Sequence, residues 1–428
     1  MTVFQPPAGA RDLLPLDVAQ KQWIETHLNS VFARWGYHQI VTSTLERLDM
    51  LMAGGAIDPE SVIQVQDPDD GLLGLRPELT ASIARAAVTR LTGASFPQRL
   101  YYNTNVFRRE PDSRHGRQHE FHQAGVELLG AGGSMADAEI LLLLADCLTA
   151  LDLTDWKIVL GQAALTRSLL EPFPAAVRES VRTAIAQLDR VALAEMDLSA
   201  ELQERALMLF ELRGQPKAVL QQLESFDLTS DSDLSGNLGN SEVDRNTDQQ
   251  HSLDGLTATI ATLEASDRDG AMLDRIVLDL STIETFDYYT GIVFAVVIET
   301  SSGPCVLGKG GRYDDLLGLY HPQNESRPGV GFGLCIEELQ QILQGRDRLP
   351  TSIAATDWLV VPRDPTAHAA AHTHARDLRR EHPGDRVEVA LEEISATPTT
   401  VHDYAFRRCV HQLVWVAADG TIELETLA

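Results

Sequence analysis

An α+β fold follows from three observations on this 428-residue chain. β-Forming runs come in two sets, over about 37–129 and 276–307. A stretch of helical periodicity, about 175–223, lies between them, and a short tail alternates strand and helix. The expected division is a core over 1–345, carrying a helical insertion over about 165–270, and a small α/β domain over 355–428.

Each element has its own local cause. Ile24, Leu28, Val31, Phe32 and Trp35 recur at helical spacing before Gly36, which predicts a helix from Asp17 to Trp35. Tyr37–Val41 is rich in β-formers, and Ser61–Val65 and Gly71–Leu75 flank the turn Asp67-Pro68-Asp69-Asp70, the pattern of a hairpin. A helix is expected over Thr80–Leu91, strands over Gln98–Arg108 and Gln118–Leu129, and helix over Ser134–Leu151. The stretch 227–254 is dominated by Ser, Asp, Asn and Gly, so it is expected to be a flexible loop. Strands are expected again at Ile276–Leu280, Ile292–Val297 and Pro304–Leu307, then a helix over Val330–Leu343. In the tail, strands at Trp358–Val361, Arg386–Val389 and Leu413–Val416 alternate with helices at Ala367–Glu381 and Val401–Arg408.

Composition narrows the function classes. With 44% hydrophobic and 23% charged residues the chain reads as globular. No apolar run approaches the ~20 residues of a bilayer span, and the N-terminus lacks the basic and apolar regions of a secretory signal. A cytoplasmic protein without membrane association is expected. Cys147, Cys305, Cys335 and Cys409 form no CxxC pair and read as buried small hydrophobes. His368, His372 and His374 share a predicted helix but have no carboxylate in register, so no metal and no cofactor are expected. The balance of 35 basic against 62 acidic residues, a net charge of −27, repels polyanions.

Three blocks carry chemistry. The first runs from Arg76-Pro77-Glu78-Leu79-Thr80 through Phe107-Arg108-Arg109-Glu110 and Gly116-Arg117 to Phe121-His122-Gln123 and Val126-Glu127. The second is Phe286-Asp287-Tyr288-Tyr289-Thr290-Gly291. The third is Gly310-Gly311-Arg312-Tyr313-Asp314 followed by Gly329-Val330-Gly331-Phe332-Gly333 and Ile336-Glu337-Glu338-Leu339. In this order they resemble the histidyl-tRNA synthetase family and its synthetase-like relatives, over roughly residues 5–345. The resemblance implies a class II aminoacyl-tRNA synthetase-like core, an antiparallel sheet flanked by helices, dimerising through its first helix and strand. Ser43 stands nearest the place of the family's motif 1 proline.

A histidine pocket is what these residue types suit. Free histidine presents an ammonium, a carboxylate and an imidazole, so its site needs acids, a cation and polar groups that engage a ring. By the resemblance, Glu78, Gln123 and Glu127 match histidine-contacting positions, Thr80, Tyr289 and Tyr313 match further pocket positions, and Arg108 matches the motif 2 arginine, able to pair with the carboxylate.

The nucleotide side departs from the family. Two family arginines, one at the α-phosphate and one at the triphosphate, align with Glu284 and Glu338. Unit charges ~4 Å apart interact by about 4 kcal/mol at an effective dielectric near 20, so each reversal weighs heavily against a bound triphosphate. Arg108, Glu110 and Arg117 keep nucleotide-side positions. From Asp357 to Ala428 the tail holds 7 Arg and no Lys against 6 Asp and 6 Glu, a poor surface for tRNA phosphates. A retained histidine pocket with lost ATP arginines resembles the regulatory subunits of ATP phosphoribosyltransferase, which have no catalysis of their own. That resemblance implies no catalytic residues, histidine as effector, a homodimer of the core, and a short-form catalytic subunit as partner in a hetero-oligomer, a hetero-octamer by family. The competing reading is a histidyl-tRNA synthetase with an altered ATP site.

Overall fold

The computed structural model describes residues 6–55, 57–91, 93–109, 118–187, 189–225, 241–267, 271–281, 288–391 and 397–427. The chain forms two compact units, Met1–Leu349 and Pro350–Ala428.

The first unit opens with α1 (Pro15–Arg34), whose Ile24, Leu28, Val31 and Phe32 are fully buried. Proline suits the first helical turn, and the Leu14 amide donates to Asp17 Oδ2 at 3.0 Å. Gly36, at φ +80°, ends the helix in a conformation that costs glycine nothing. The chain then makes β1 (His38–Gln39), β2 (Leu45–Arg47), α2 (Leu48–Met52), β3 (Gln64–Asp67) and β4 (Gly71–Leu75). β3 and β4 form the expected hairpin, its turn held by Asp67 Oδ1, which accepts from the amides of Asp69 and Asp70 at 2.9 Å. With β2 they make a small three-stranded sheet.

Next come α3 (Thr80–Thr89), β5 (Gln98–Phe107), β6 (Glu120–Leu129), α4 (Ser134–Ala150) and β7 (Trp156–Gln162). A helical layer follows: α5 (Ala163–Leu170), α6 (Ala175–Ala186), α7 (Arg190–Glu195), α8 (Ala200–Glu211), the short β8 (Arg213–Gly214), α9 (Pro216–Ser225), α10 (Ser241–Ser266) and α11 (Ala271–Asp274). The unit closes with β9 (Ile276–Asp279), β10 (Ile292–Thr300), β11 (Gly303–Arg312), α12 (Leu316–Tyr320), β12 (Gly329–Cys335) and α13 (Ile336–Gln344). The main sheet has nine strands in the order β1-β5-β6-β12-β11-β10-β7-β9-β8 and is antiparallel except at the β1–β5 and β7–β9 pairs. One face packs under α1, α4 and α13 in the large core; the other carries a smaller core with α3, α12 and the aromatic residues Tyr102, Tyr289 and Tyr313.

The structure departs from expectation in several places. Residues 329–335 are the strand β12, not the start of a helix, because Val330, Phe332 and Leu334 are buried at a spacing of two while the intervening glycines face the opposite side. β7 lies where no strand was expected, in Trp156–Gln162, with Trp156, Ile158 and Leu160 buried at the same spacing. The expected loop over 227–254 overlaps α10, which already includes Ser241–Asp254; the buried Leu253, Leu256, Ile260 and Leu263 anchor it against α4 and α5, and helix propagates back into the polar segment more easily than it nucleates. Residues 226–240 lie outside the described residues. Of the cysteines, Cys147 and Cys305 are buried, Cys335 is half-buried and Cys409 is exposed, so the expectation of burial fails for Cys409 at the end of a tail helix.

The second unit is built from β13 (Trp358–Pro362), α14 (His368–Glu381), β14 (Val387–Val389), α15 (Pro398–Arg407), β15 (Gln412–Val416) and β16 (Ile422–Thr426), in the sheet order β14-β13-β15-β16. β16 is a strand the sequence reading lacked; its exposed glutamates hid it, yet Glu425 is held by His402 Nε2 at 2.8 Å and Trp415 Nε1 at 3.1 Å. No described helix is long and apolar enough to cross a membrane.

Candidate histidine-type pocket

Strand register creates the pocket floor. β6 pairs with β5 on one side and β12 on the other, which sets Glu127 opposite Leu100 and Gly331, Gly125 opposite Tyr102 and Gly333, and Gln123 opposite Thr104. Glu127, Gly125 and Gln123 therefore share one face of the sheet, as do Gly331 and Gly333. Those glycines are required by close approach. A Cβ at Gly331 would overlap Glu127 Oε2 and the Val126 carbonyl, and one at Gly333 would stand 2.9 Å from the Tyr102 hydroxyl. On β11, a Cβ at Gly311 would stand 2.6 Å from the Tyr289 ring. A bare backbone floor thus leaves room for acids and aromatic rings above it.

Glu127, 1% exposed, is the centre of this arrangement. Its Oε1 accepts from Thr80 Oγ1 at 2.8 Å and its Oε2 from the Tyr313 hydroxyl. Thr80 is the first residue of α3, and Glu78 just before it accepts from the amides of Thr80 and Ala81 at 2.6 and 2.9 Å, an acid placed at a helix N-terminus where it is favoured. Tyr288 completes an aromatic wall, its ring 4.7 Å from that of Tyr289 and 5.9 Å, edge-on, from that of Tyr313.

Tyr313 is set from behind by a buried ion pair. Arg312, on the opposite face, donates to Asp137 Oδ1 through Nε at 2.8 Å and Nη2 at 2.6 Å, and to Asp314 Oδ1 at 3.0 Å. Asp137 stands in the first turn of α4, so the pair ties that helix to β11.

Burial dominates the electrostatics. It pushes the Glu127 carboxyl up to about 8 despite the hydrogen bonds from Tyr313 and Thr80, and the charge of Glu78 adds to the rise. The Glu78 carboxyl is also raised by burial, against its backbone hydrogen bonds and the pull of Arg108. Two such acids favour a ligand that brings positive charge. Because the folded pKa of Glu127 lies above its ordinary 4.5, the folded chain holds more protons than the unfolded one between these values. The stabilisation is complete below about 4.5 and is lost as pH rises through about 8. Glu127→Gln, which keeps the shape without titrating, is expected to flatten the fall in stability between about pH 5 and pH 8. Urea unfolding at stepped pH measures it; parallel profiles in both proteins would contradict the raised carboxyl.

The structure brings Glu78, Thr80, Glu127, Tyr289 and Tyr313 together, with Gln123 further along β6, its Oε1 3.8 Å from where a Gly333 Cβ would be. Arg108 follows β5, over the Phe121 ring at 5.2 Å and with Nη1 3.5 Å from the Pro77 carbonyl. Glu338 lies in the first turn of α13, where its Oε2 accepts from the Cys305 thiol at 3.0 Å. Glu284, Glu110 and Arg117 lie outside the described residues. Sequence reading missed Tyr102, Tyr288 and the floor glycines as pocket elements; the alternation in β5 and the doubled tyrosine were the available signals. Among the described residues no cluster of three or more His, Cys, Asp or Glu could hold a metal. A separate cleft of about 860 Å³, lined by residues including Val41, Leu45, Arg47, Leu73, Arg85 and Arg90, shares no lining residue with this pocket.

Comparison with known proteins agrees with the fold. The chain matches the model of the histidyl-tRNA synthetase family over residues 9–339. A relative from Trichormus variabilis called ATP phosphoribosyltransferase regulatory subunit is 52% identical over 426 residues, covering 100% of both chains. One of the same name from Synechocystis sp. is 52% identical over 423 residues, covering 99% of this chain and 100% of the relative. Among solved structures, a Bacillus halodurans protein described as an ATP phosphoribosyltransferase regulatory subunit/histidyl-tRNA synthetase aligns with a TM-score of 0.77 at 24% identity, covering 97% of this chain and 99% of that one. A histidyl-tRNA synthetase from Nostoc sp. aligns with a TM-score of 0.75 at 18% identity, covering 100% and 97%. At those identities the two structures speak for the class II synthetase-like fold, while the full-length relatives speak for the branch: the chain belongs to the family of ATP phosphoribosyltransferase regulatory subunits.

Proposed function

We propose that this chain binds free histidine in the Glu127 pocket and, assembled with a short-form ATP phosphoribosyltransferase catalytic subunit, activates it and makes it sensitive to histidine. The observation that carries the reading is the pairing of half-buried Glu78 with buried Glu127 above a glycine floor, a site that rewards a ligand bringing an ammonium and a ring. Gln123, Tyr289 and Tyr313 surround that ligand, and Arg108 faces its carboxylate from the open end of β5. By the resemblance Glu338 and Glu284 stand where a synthetase places arginines on ATP, so the chain performs no aminoacylation, and its acidic tail takes no tRNA. The core pairs with a second copy through α1 and β1, beside the cleft where Val41 is 79% exposed, and the hetero-octamer of the family is the expected assembly.

Inhibition then follows from linkage: histidine must bind the inhibited arrangement more tightly than the active one. Mixing this chain with a short-form catalytic subunit is expected to raise phosphoribosyl-ATP formation, and histidine to lower it. Glu127→Ala is expected to leave assembly intact and weaken inhibition roughly tenfold or more, since a hydrogen bond to a charged group is worth about 1.5–3 kcal/mol. An absence of both activation and histidine response would defeat the reading, and histidine-dependent exchange of pyrophosphate into ATP would favour a synthetase instead.

A further inference from the structure

The two acids of the pocket account for the positive end of an amino acid; its negative end needs a cation on the same floor. Arg108, just past the end of β5, brings one cation in beside Glu78, its Nη1 3.5 Å from the Pro77 carbonyl and its charge lowering the Glu78 carboxyl. Lys309 comes from the other side of the floor, on β11. The β11–β12 register pairs it with Gly333, two positions from the Gly311–Gly331 pair. The side it takes is settled by its neighbours: a Cβ at Gly310 would stand 2.6 Å from the Phe294 ring and 2.7 Å from Phe332 Cβ, in the large core, whereas one at Gly311 meets the pocket ring of Tyr289. Alternation returns Lys309 to the pocket face, where its side chain is exposed. Across the floor, Gly333 lies under the Tyr102 hydroxyl and beside Gln123. β11 and β6 flank β12, so roughly 10 Å separates the backbone of Lys309 from that of Gly125, a span that an amino acid and a lysine side chain fill.

We propose that Lys309 is a ligand-binding residue of this pocket, sharing with Arg108 the carboxylate of an amino acid whose ammonium is held by Glu78 and Glu127, and that it thereby sharpens selection for ligands with a free carboxylate. The inference rests on the histidine reading above and adds to it a specificity-determining residue. A lysine suits the role because its ammonium is a mobile point charge on a flexible stem, able to follow a carboxylate without the fixed fork of an arginine.

Titration calorimetry of the full chain with L-histidine and L-histidinamide, which keeps the ammonium and imidazole but has no carboxylate charge, tests the assignment. The unaltered protein is expected to prefer histidine. Lys309→Met is expected to weaken histidine roughly tenfold, about 1.4 kcal/mol, with histidinamide unchanged, so that the preference falls by the same factor. Lys309→Arg is expected to keep most of it. A Lys309→Met protein that retains the full preference overturns the proposal, and one that weakens both ligands equally does so too, because the residue then acts through the fold. If the unaltered protein binds neither ligand, the histidine reading itself fails, an outcome distinct from failure of Lys309 alone.

Discussion

Arg312→Met is expected to destabilise the first unit by about 3–5 kcal/mol, the cost of leaving a buried charge without its partner. Arg312 and Asp137 side chains are 6% and 9% exposed, and the guanidinium meets Asp137 Oδ1 through two nitrogens. Methionine fills much of the volume but strands Asp137, whose carboxyl burial already pushes upward against the pull of Arg312. The stranded acid either ionises unpaired or takes up a proton, and both cost stability. Urea unfolding of the variant gives the magnitude. The double change Arg312→Met with Asp137→Leu is expected to recover a large part of the loss, because desolvation of two charges often outweighs their attraction. A single variant that unfolds with the unaltered protein would show that the pair is not holding α4 to β11. Since Tyr313 follows Arg312 directly, the single variant is also expected to weaken histidine sensing; the double change, which keeps the packing, separates the two effects.

Gly331→Ala is expected to abolish histidine binding, by more than ~100-fold in affinity. Its methyl group would overlap both Glu127 Oε2 and the carbonyl of Val126. The carboxylate could swing aside by rotating, but the carbonyl belongs to the β6 backbone, paired with β12 across the floor. Relief must come from parting two central strands or ejecting Glu127 from its bonds with Thr80 and Tyr313. Either ends the pocket. Calorimetry with histidine reads the binding loss, and circular dichroism checks that the sheet survives. Gly255→Ala is the control: it lies on α10 with open space around its would-be Cβ and is expected to bind histidine normally. Binding by Gly331→Ala within a few fold of the unaltered chain would mean that Glu127 is not the seat of the ligand.

Both variants touch residues whose importance the sequence shows unevenly. Arg312 belongs to an unbroken motif, Gly310-Gly311-Arg312-Tyr313-Asp314, so its presence near the site was legible. Its buried partner Asp137, 175 residues away, was not. Gly331 sits in the motif run 329–333, yet in sequence that run predicts the start of a helix. Glycine at every second position removes the apolar–polar contrast from which strands are recognised, and the large residues between them mimic a helical start. Lys309 and Tyr102 stayed unread for a related reason: the face a strand residue takes depends on register with strands far along the chain, and a slip of one residue reverses it.

The sequence by itself determined the family and the α+β class, and it named Glu78, Thr80, Gln123, Glu127, Tyr289 and Tyr313 as candidate pocket residues and Glu338 as a candidate lost arginine position, because residue type and order within short runs carry that information. The tertiary structure decided which of those groups meet: that Glu127 is clamped between α3 and β11, that Glu78 caps α3, and that Lys309 shares their floor while Glu338 meets Cys305. Strand pairing and burial made these choices. Both depend on contacts between segments distant in the chain, and burial raises the pocket acids by removing water, which no local run of residues records.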